Sequence, residues 1–157
     1  MPETGHDPDA PHGLVEGMLG QVLGYQIALA AISTRKLYAR HIGEPMQLKP
    51  VEFTILMLLL ANDEVTQKRL CQTLAVSAPN VTILLDRLQQ RELVTRVRSE
   101  TDRRSQHIHL TRKGQALAKK ARDVALSMEL DLTRYLSPAE KAMLIELLKK
   151  VSRHRRL

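Results

Sequence analysis

Two short helical patterns separated by a tight turn, and then two strand patterns, occupy residues 66–111. Thr66 precedes the first helical pattern and Ser77 precedes the second, and both are residue types that favour the N-cap position. Pro79 falls in the first turn of the second helix, where its missing N–H costs no hydrogen bond. One side of that helix carries apolar residues at three- and four-residue spacing: Val81, Leu84, Leu85 and Leu88. The pattern predicts a helix-turn-helix motif.

The two strand patterns, residues 93–98 and 106–110, alternate with period two, as the paired strands of a half-buried hairpin do. The segment between them, residues 99–105, has no apolar residue and contains the adjacent pair Arg103 and Arg104. A hairpin with an arginine-bearing tip beside a helix-turn-helix predicts a winged helix-turn-helix. The expected fold is therefore mainly α with a small β-hairpin wing.

Helical spacing also flanks this segment on both sides. Residues 14–41 predict a long helix that is apolar over much of its girth and must be covered on more than one side. Residues 42–45 break the pattern, and Pro50 then suits the first turn of a helix that ends near Ala61. The expected core face of that helix is Phe53, Leu56, Met57 and Leu60.

Two further helices are predicted after the wing. Helical spacing runs over residues 111–136, and Ser137-Pro138-Ala139-Glu140 is a capping box with proline at the first helical position. The last helix should therefore begin at Pro138 and reach about Val151.

Positive charge is concentrated in the winged segment and its flank. The chain has a formal charge of +7, and residues 66–120 contain twelve Lys or Arg against four Asp or Glu, a balance of +8. A local basic excess attracts a phosphate backbone before any base is read. The alternative is a solvated basic face that serves solubility.

The first 13 residues hold three prolines, two glycines and three acidic residues, which predicts a mobile tail. Its two histidines are expected to be solvated, because no second group of ligands supports a metal site. Cys71 is the single cysteine, so no internal disulfide can form, and a reducing compartment is expected. No secretory signal or membrane span is evident, so we expect a cytoplasmic protein.

Both halves of residues 66–111 resemble the MarR (multiple antibiotic resistance regulator) family. The resemblance to its wing signature is carried by Asp102, Arg104, Ile108, Leu110, Thr111 and Gly114. The resemblance to its recognition helix is carried by Ser77, Val81, Thr82, Leu84, Asp86, Arg87, Leu88, Leu93 and Val94. The resemblance covers about residues 14–151. Glu92 departs from the pattern, because the family often has glycine after the recognition helix.

The resemblance implies a ligand-responsive transcriptional repressor that binds double-stranded DNA as a homodimer. Terminal helices over residues 14–45 and 112–157 would form the dimer, residues 46–111 would bind DNA, and residues 1–13 would be the tail. A two-fold dimer predicts a pseudo-palindromic operator with half-sites roughly 10 bp apart.

The expected DNA contacts lie on the two helices of the motif and on the wing: Thr66, Gln67, Ser77, Pro79, Asn80, Thr82, Ile83, Arg87, Arg103 and Arg104. Asn80 and Thr82 suit a base edge or a phosphate, while Arg103 and Arg104 suit the minor groove. Ile83 either contacts a thymine methyl or widens the core contact, although the family often carries a basic residue there. Arg87 either reaches a phosphate or braces Asp86 and the wing. Asp102 orients an arginine, serves as a turn residue, or does both.

Family members are commonly released from DNA by small aromatic or phenolic anions, or by thiol oxidation. The residues expected near the junction between the dimer helices and the winged domain are Arg35, Tyr38, His41, Met46, Phe53 and Met57. These are either effector-binding residues or ordinary junction residues. Cys71 lies on the expected inner face of its helix, which favours an inert thiol. His107 and His109 are two ligands without a third, which is weak support for a metal site.

Two other functional classes compete with a DNA-binding regulator. A winged domain used for protein contact would not need paired arginines at the tip of its wing. An enzyme is disfavoured, because the sequence has no glycine-rich phosphate loop, no zinc-ligand set and no nucleophile with a credible base. No cofactor and no metal are expected.

Overall fold

The computed structural model describes residues 14–98 and 106–153. The tail expected at residues 1–13 and the wing tip at residues 99–105, with Asp102, Arg103 and Arg104, lie outside the described residues. The chain divides into two compact units, and the boundary falls between Lys36 and Leu37.

The first unit does not contain the single long helix expected from residue 14. A 3-10 helix spans Gly17–Gln21, Val22 is extended, and helix α1 spans Leu23–Tyr38. Gly17 adopts a left-handed conformation with φ of +56°. Glycine weakens helices, and three glycines, at positions 17, 20 and 24, lie around this interruption. Large apolar side chains in this unit are exposed: Leu14, Val15, Met18, Leu19, Val22, Leu23, Ile27 and Ile32.

The second unit begins with more helix than the sequence predicted. A π-helical turn over Ala39–Gly43 leads into the short helix α2, Glu44–Met46, so residues 42–45 do not break the helix. The break comes at Gln47, which is left-handed with φ of 52°. Pro45 is accommodated because it lies in the first turn of α2, where no N–H is required.

Helix α3 spans Pro50–Ala61, as predicted, but its buried face differs from the expected one. Ile55, Leu56 and Leu59 are buried, whereas Phe53, Met57 and Leu60 are only half-buried. The fully buried Glu52 belongs to the same face. Its Oε2 accepts a hydrogen bond from the backbone N of Lys49 at 2.8 Å and so caps the helix. The apolar run 55–61 has no polar position to distinguish one face from another, so spacing alone could not orient the helix.

The helix-turn-helix is present as predicted, with α4 at Gln67–Leu74 and α5 at Ala78–Gln90. The hairpin pairs β1, Val94–Arg98, with β2, Gln106–Leu110, antiparallel and with Val94 opposite Leu110. Beside the hairpin, the carbonyl oxygen of Val65 accepts a hydrogen bond from the backbone N of Ile108 at 2.8 Å. This bond joins the N-terminal end of α4 to the wing.

Helix α6 spans Arg112–Leu132 and helix α7 spans Pro138–Ser152. The capping box predicted for α7 is present, with Ser137 Oγ accepting from Glu140 N at 3.3 Å and Glu140 Oε2 accepting from Ser137 N at 2.8 Å. Helix α6 ends four residues before the predicted Leu136. Among the residues that the structure describes, no helix is long and apolar enough to cross a membrane.

Candidate nucleic-acid interface

Helix α5 has one packed side and one open side. Val81, Leu85 and Leu88 are buried in the core of the second unit. On the open side Asn80 is exposed and Ile83 is 65% exposed. Ile83 therefore does not join the core contact, which was the alternative left by the sequence.

The side chain of Gln67, at the start of α4, fixes the position of α5. Its Nε2 donates to Thr82 Oγ1 at 2.7 Å and to the carbonyl oxygen of Ala78 at 3.3 Å. Thr82 Oγ1 in turn donates to the same carbonyl at 3.0 Å. Gln67, expected to contact DNA, thus uses its amide hydrogens to join the two helices of the motif, while Thr82 uses its hydroxyl hydrogen within α5.

The residues at the N-terminal ends of both helices lie at the positions that the sequence predicted. Thr66 is the N-cap of α4, and its Oγ1 accepts from Arg69 N at 3.3 Å. Ser77 is the N-cap residue of α5, but its side chain makes no capping hydrogen bond. Ser77 and Pro79 are exposed, so these two residues and Asn80 are accessible to a partner.

Arg96 of strand β1 connects the wing to α5. Its NH2 donates to Asp86 Oδ1 at 2.6 Å and lies 3.5 Å from the carbonyl oxygen of Thr82. The role of bracing Asp86, suggested above for Arg87, therefore belongs to Arg96. The sequence did not single out Arg96, although its place on the strand that follows the helix carrying Asp86 was a usable signal.

Arg87 of α5 and Arg91 at its C-cap contact the preceding part of the chain. Arg87 Nε lies 3.1 Å from Oε1 of the buried Glu52 in α3. Arg91 donates from NH1 to the carbonyl oxygen of Gln47 at 2.6 Å and from NH2 to that of Met46 at 3.0 Å. These contacts hold α5 against α2 and α3. The phosphate contact of Arg87 stays a prediction, since part of its guanidinium is exposed.

Among the expected effector residues of the second unit, Tyr38 and Phe53 are in contact. Their rings meet edge to face, with centroids 5.8 Å apart, and Tyr38 Oη donates to the carbonyl oxygen of Leu48 at 3.0 Å. Burial, and secondarily the charge of Glu52, raise the pKa of Tyr38 to about 12. Met46 is buried, while His41 and Met57 are half-buried.

Arg35 belongs to the first unit, where its Nε donates to the carbonyl oxygen of Ala31 at 3.0 Å.

The histidines of β2 and the single cysteine add no ligand set. The rings of His107 and His109 stack with centroids 6.2 Å apart. Within residues 14–98 and 106–153, no group of three or more His, Cys, Asp or Glu could hold a metal ion. Cys71 is half-buried and packs against the core.

Residues 46–105 match the sequence model of the MarR family. A candidate transcriptional regulatory protein for the hcr operon of Thauera aromatica is 29% identical over 141 residues, which cover 89% of this chain and 84% of that protein. The transcriptional repressor CouR bound to a 23-mer DNA duplex is 33% identical, with a TM-score of 0.83 over 88% of this chain and 98% of that one. CouR bound to p-coumaroyl-CoA is 31% identical, with a TM-score of 0.78 over 89% of this chain and 98% of that one.

Proposed function

Because the chain belongs to the MarR family of DNA-binding transcriptional regulators, we propose that it is a repressor that binds a pseudo-palindromic operator as a homodimer. The observation that carries the proposal is the open face of α5, where Asn80 and Ile83 are exposed. Helix α4 and the wing both contact this helix and hold it in place. Gln67 holds α5 from α4, and Arg96 holds it from the wing. A rigid helix with an exposed N-terminal half is what entry into a major groove requires.

The proposed base contacts come from the first two turns of α5, and the phosphate contacts from its surroundings. The amide of Asn80 suits an adenine edge, which offers one acceptor and one donor in the major groove. Thr66, Gln67 and Ser77 lie at helix N-termini, where backbone N–H groups favour phosphate. Arg87 adds a phosphate contact, and Arg103 and Arg104 enter the minor groove, with Asp102 orienting one of them.

The homodimer would bury apolar side chains that a single chain exposes. Helix α7 exposes Met143, Leu144, Ile145, Leu147, Leu148 and Val151. An exposed apolar surface of this extent marks an interaction site. CouR, a structural relative, is a transcriptional repressor that binds a DNA duplex. A second copy of this chain is the partner that would supply the second recognition helix for a two-fold site.

The proposed effector is a small aromatic or phenolic compound that weakens DNA binding. CouR binds p-coumaroyl-CoA, a phenolic acyl thioester. Tyr38 and Phe53 supply an aromatic edge. His41, Met46 and Met57 of the same unit complete the residues proposed for the effector.

The experiment that tests operator binding is selection of fragments of the protein's own genome, at two salt concentrations, followed by sequencing. An enriched pseudo-palindrome, bound by a dimer and weakened by salt, is the expected result. Asn80→Ala should weaken binding to that site, and Arg104→Ala should reduce the salt dependence, while the exposed Gln90→Ala serves as the matched control on α5. Recovery of no common sequence contradicts the proposal.

The effector is tested on the complex with the recovered operator. We expect p-coumaroyl-CoA or a related aromatic acyl thioester, or the matching free acid, to release the DNA. Acetyl-CoA should not release the DNA, because it contains the same coenzyme A but lacks the phenolic ring of the acyl group. Tyr38→Ala should reduce the response, whereas Tyr38→Phe, which keeps the ring, should retain most of it. Equal release by acetyl-CoA would contradict an aromatic effector.

A further inference from the structure

Ile83 is the largest apolar side chain on the open face of α5. It is 65% exposed, while Val81 and Leu85, two residues away on either side, are fully buried. Full burial of an isoleucine side chain contributes about 1.5–3 kcal/mol, so contact of Ile83 with an apolar group of the DNA would stabilise a complex.

The polar side chains beside Ile83 have little left to offer a base. The hydroxyl hydrogen of Thr82 is committed to the carbonyl oxygen of Ala78 at 3.0 Å. Both amide hydrogens of Gln67 are committed, one to Thr82 Oγ1 at 2.7 Å and one to the same carbonyl at 3.3 Å. Ala78 and Pro79 are also exposed on the first turn, and neither carries a polar side chain. On the N-terminal side of Ile83, therefore, the side chain of Asn80 is the main one left to hydrogen-bond a base, while Asp86 and Arg87 follow on its C-terminal side.

Asn80 lies one turn before Ile83, and residues three apart are neighbours on a helix surface, with Cβ atoms roughly 5–6 Å apart. Its side chain is exposed. The face thus presents one amide next to one branched hydrocarbon. In the major groove the hydrocarbon partner is the 5-methyl group of thymine, the apolar group that marks an A·T pair.

We propose that Ile83 determines specificity by contacting a thymine 5-methyl group in each half-site, within two base pairs of the adenine that Asn80 contacts. This inference rests on the proposed operator binding. At that position the protein distinguishes thymine from the other bases by removing its methyl group from water, and not by a hydrogen bond. Loss of one buried methyl group should weaken binding about fourfold, and loss of one in each half-site about 15-fold.

The test replaces each thymine of the recovered operator by deoxyuridine, symmetrically in both half-sites, and measures the Kd by fluorescence anisotropy. Deoxyuridine keeps every hydrogen-bonding group of thymine and lacks only the methyl. We expect one symmetric pair of positions to give the loss of about 15-fold in the wild-type protein. In Ile83→Ala the same replacement should change the Kd less than twofold, whereas Ile83→Val should retain most of the discrimination.

Gln90→Ala is the matched control, because Gln90 is an exposed residue of the same helix at its C-terminal end. For this variant, the ratio of the Kd of the deoxyuridine operator to the Kd of the thymine operator should equal the ratio for the wild-type protein. If an operator is recovered but no thymine shows a methyl effect, or if the effect persists in Ile83→Ala, the inference is overturned while operator binding stands. If no operator is recovered, the proposed function and this inference fail together.

Discussion

The Nε atom of Arg87 in α5 lies 3.1 Å from Oε1 of Glu52 in α3, a side chain with no solvent exposure. The other carboxylate oxygen, Oε2, accepts from the backbone N of Lys49 at 2.8 Å. Among the described residues Oε1 has no hydrogen bond of acceptable geometry, so its contact with Arg87 is an ion pair. The pair joins the recognition helix to α3, which contributes Ile55, Leu56 and Leu59 to the core.

Arg87→Met should therefore destabilise the fold more than loss of an exposed ion pair does. Removing one partner of a buried pair costs about 3–5 kcal/mol, because the other charge stays buried and unpaired. The side chain of Arg87 is 40% exposed, so water replaces part of the contact and we expect a loss of about 2 kcal/mol in the free energy of unfolding. Urea unfolding followed by circular dichroism measures it.

The matched control for this prediction is Arg122→Met, which removes an exposed pair with Asp123 and should cost at most about 0.5 kcal/mol. Adding Glu52→Gln to Arg87→Met removes the orphaned charge and should recover part of the loss. Equal losses in Arg87→Met and Arg122→Met would show that Glu52 does not depend on its partner.

Gly114→Ala should be among the most damaging single substitutions in α6. A Cβ at this position would lie 1.8 Å from the carbonyl oxygen of Leu93, which is backbone and cannot rotate away. Overpacking typically costs 1–3 kcal/mol, and a clash with backbone belongs at the upper end, about 3 kcal/mol. Thermal unfolding measures the effect. Gln115→Ala, at the exposed neighbouring position, should shift the free energy by no more than about 0.5 kcal/mol.

Glu92→Gly should stabilise the protein. Glu92 follows α5 in a left-handed conformation with φ of 59°, which disfavours any residue with a Cβ. Relief of that strain is partly offset by the greater freedom of glycine in the unfolded chain, so we expect a gain of about 0.5–1 kcal/mol. Glu92→Gln keeps the Cβ and removes only the exposed ion pair with Lys113, so it should change little. If Glu92→Gly lost more stability than Glu92→Gln, the left-handed conformation of Glu92 would not be strained.

Tyr38 should lose its proton late in an alkaline titration, because burial and the charge of Glu52 raise its pKa from 10.0 to about 12. The unfolded chain releases this proton first, so the associated stability is fully present below pH 10 and decreases as the pH rises toward 12. Absorbance at the phenolate band, wild type minus Tyr38→Phe, should give a midpoint near 12. A midpoint near 10 would mean that water reaches the hydroxyl.

The parts of the fold that local chemistry specifies were predicted correctly. Thr66 and Ser77 are the N-cap residues of α4 and α5, although only Thr66 caps with its side chain, and Ser137, Pro138 and Glu140 form the capping box that begins α7. Alternating residues predicted both strands of the hairpin to within one residue. Caps and periodicities act within a few residues, so they can be read along the chain.

The candidate interface was predicted in outline, since exposed Ser77, Pro79, Asn80 and Ile83 follow from the spacing of the apolar residues. Glu92 departs from the family pattern, which often has glycine after the recognition helix. The structure shows Glu92 in the left-handed conformation that glycine usually adopts.

The sequence by itself determined the starts of helices α3 to α7, the strands and the side of α5 that faces outward, because each depends on neighbours within one or two turns. Only the tertiary structure decided that Glu52 is buried, that Arg87 pairs with it, and that Arg96 rather than Arg87 braces Asp86. Glu52 and Arg87 are 35 positions apart, and a charge enters the core only when the packing of two helices brings its partner within reach. No local pattern encodes such a pairing, since its energy exists only after the elements have packed.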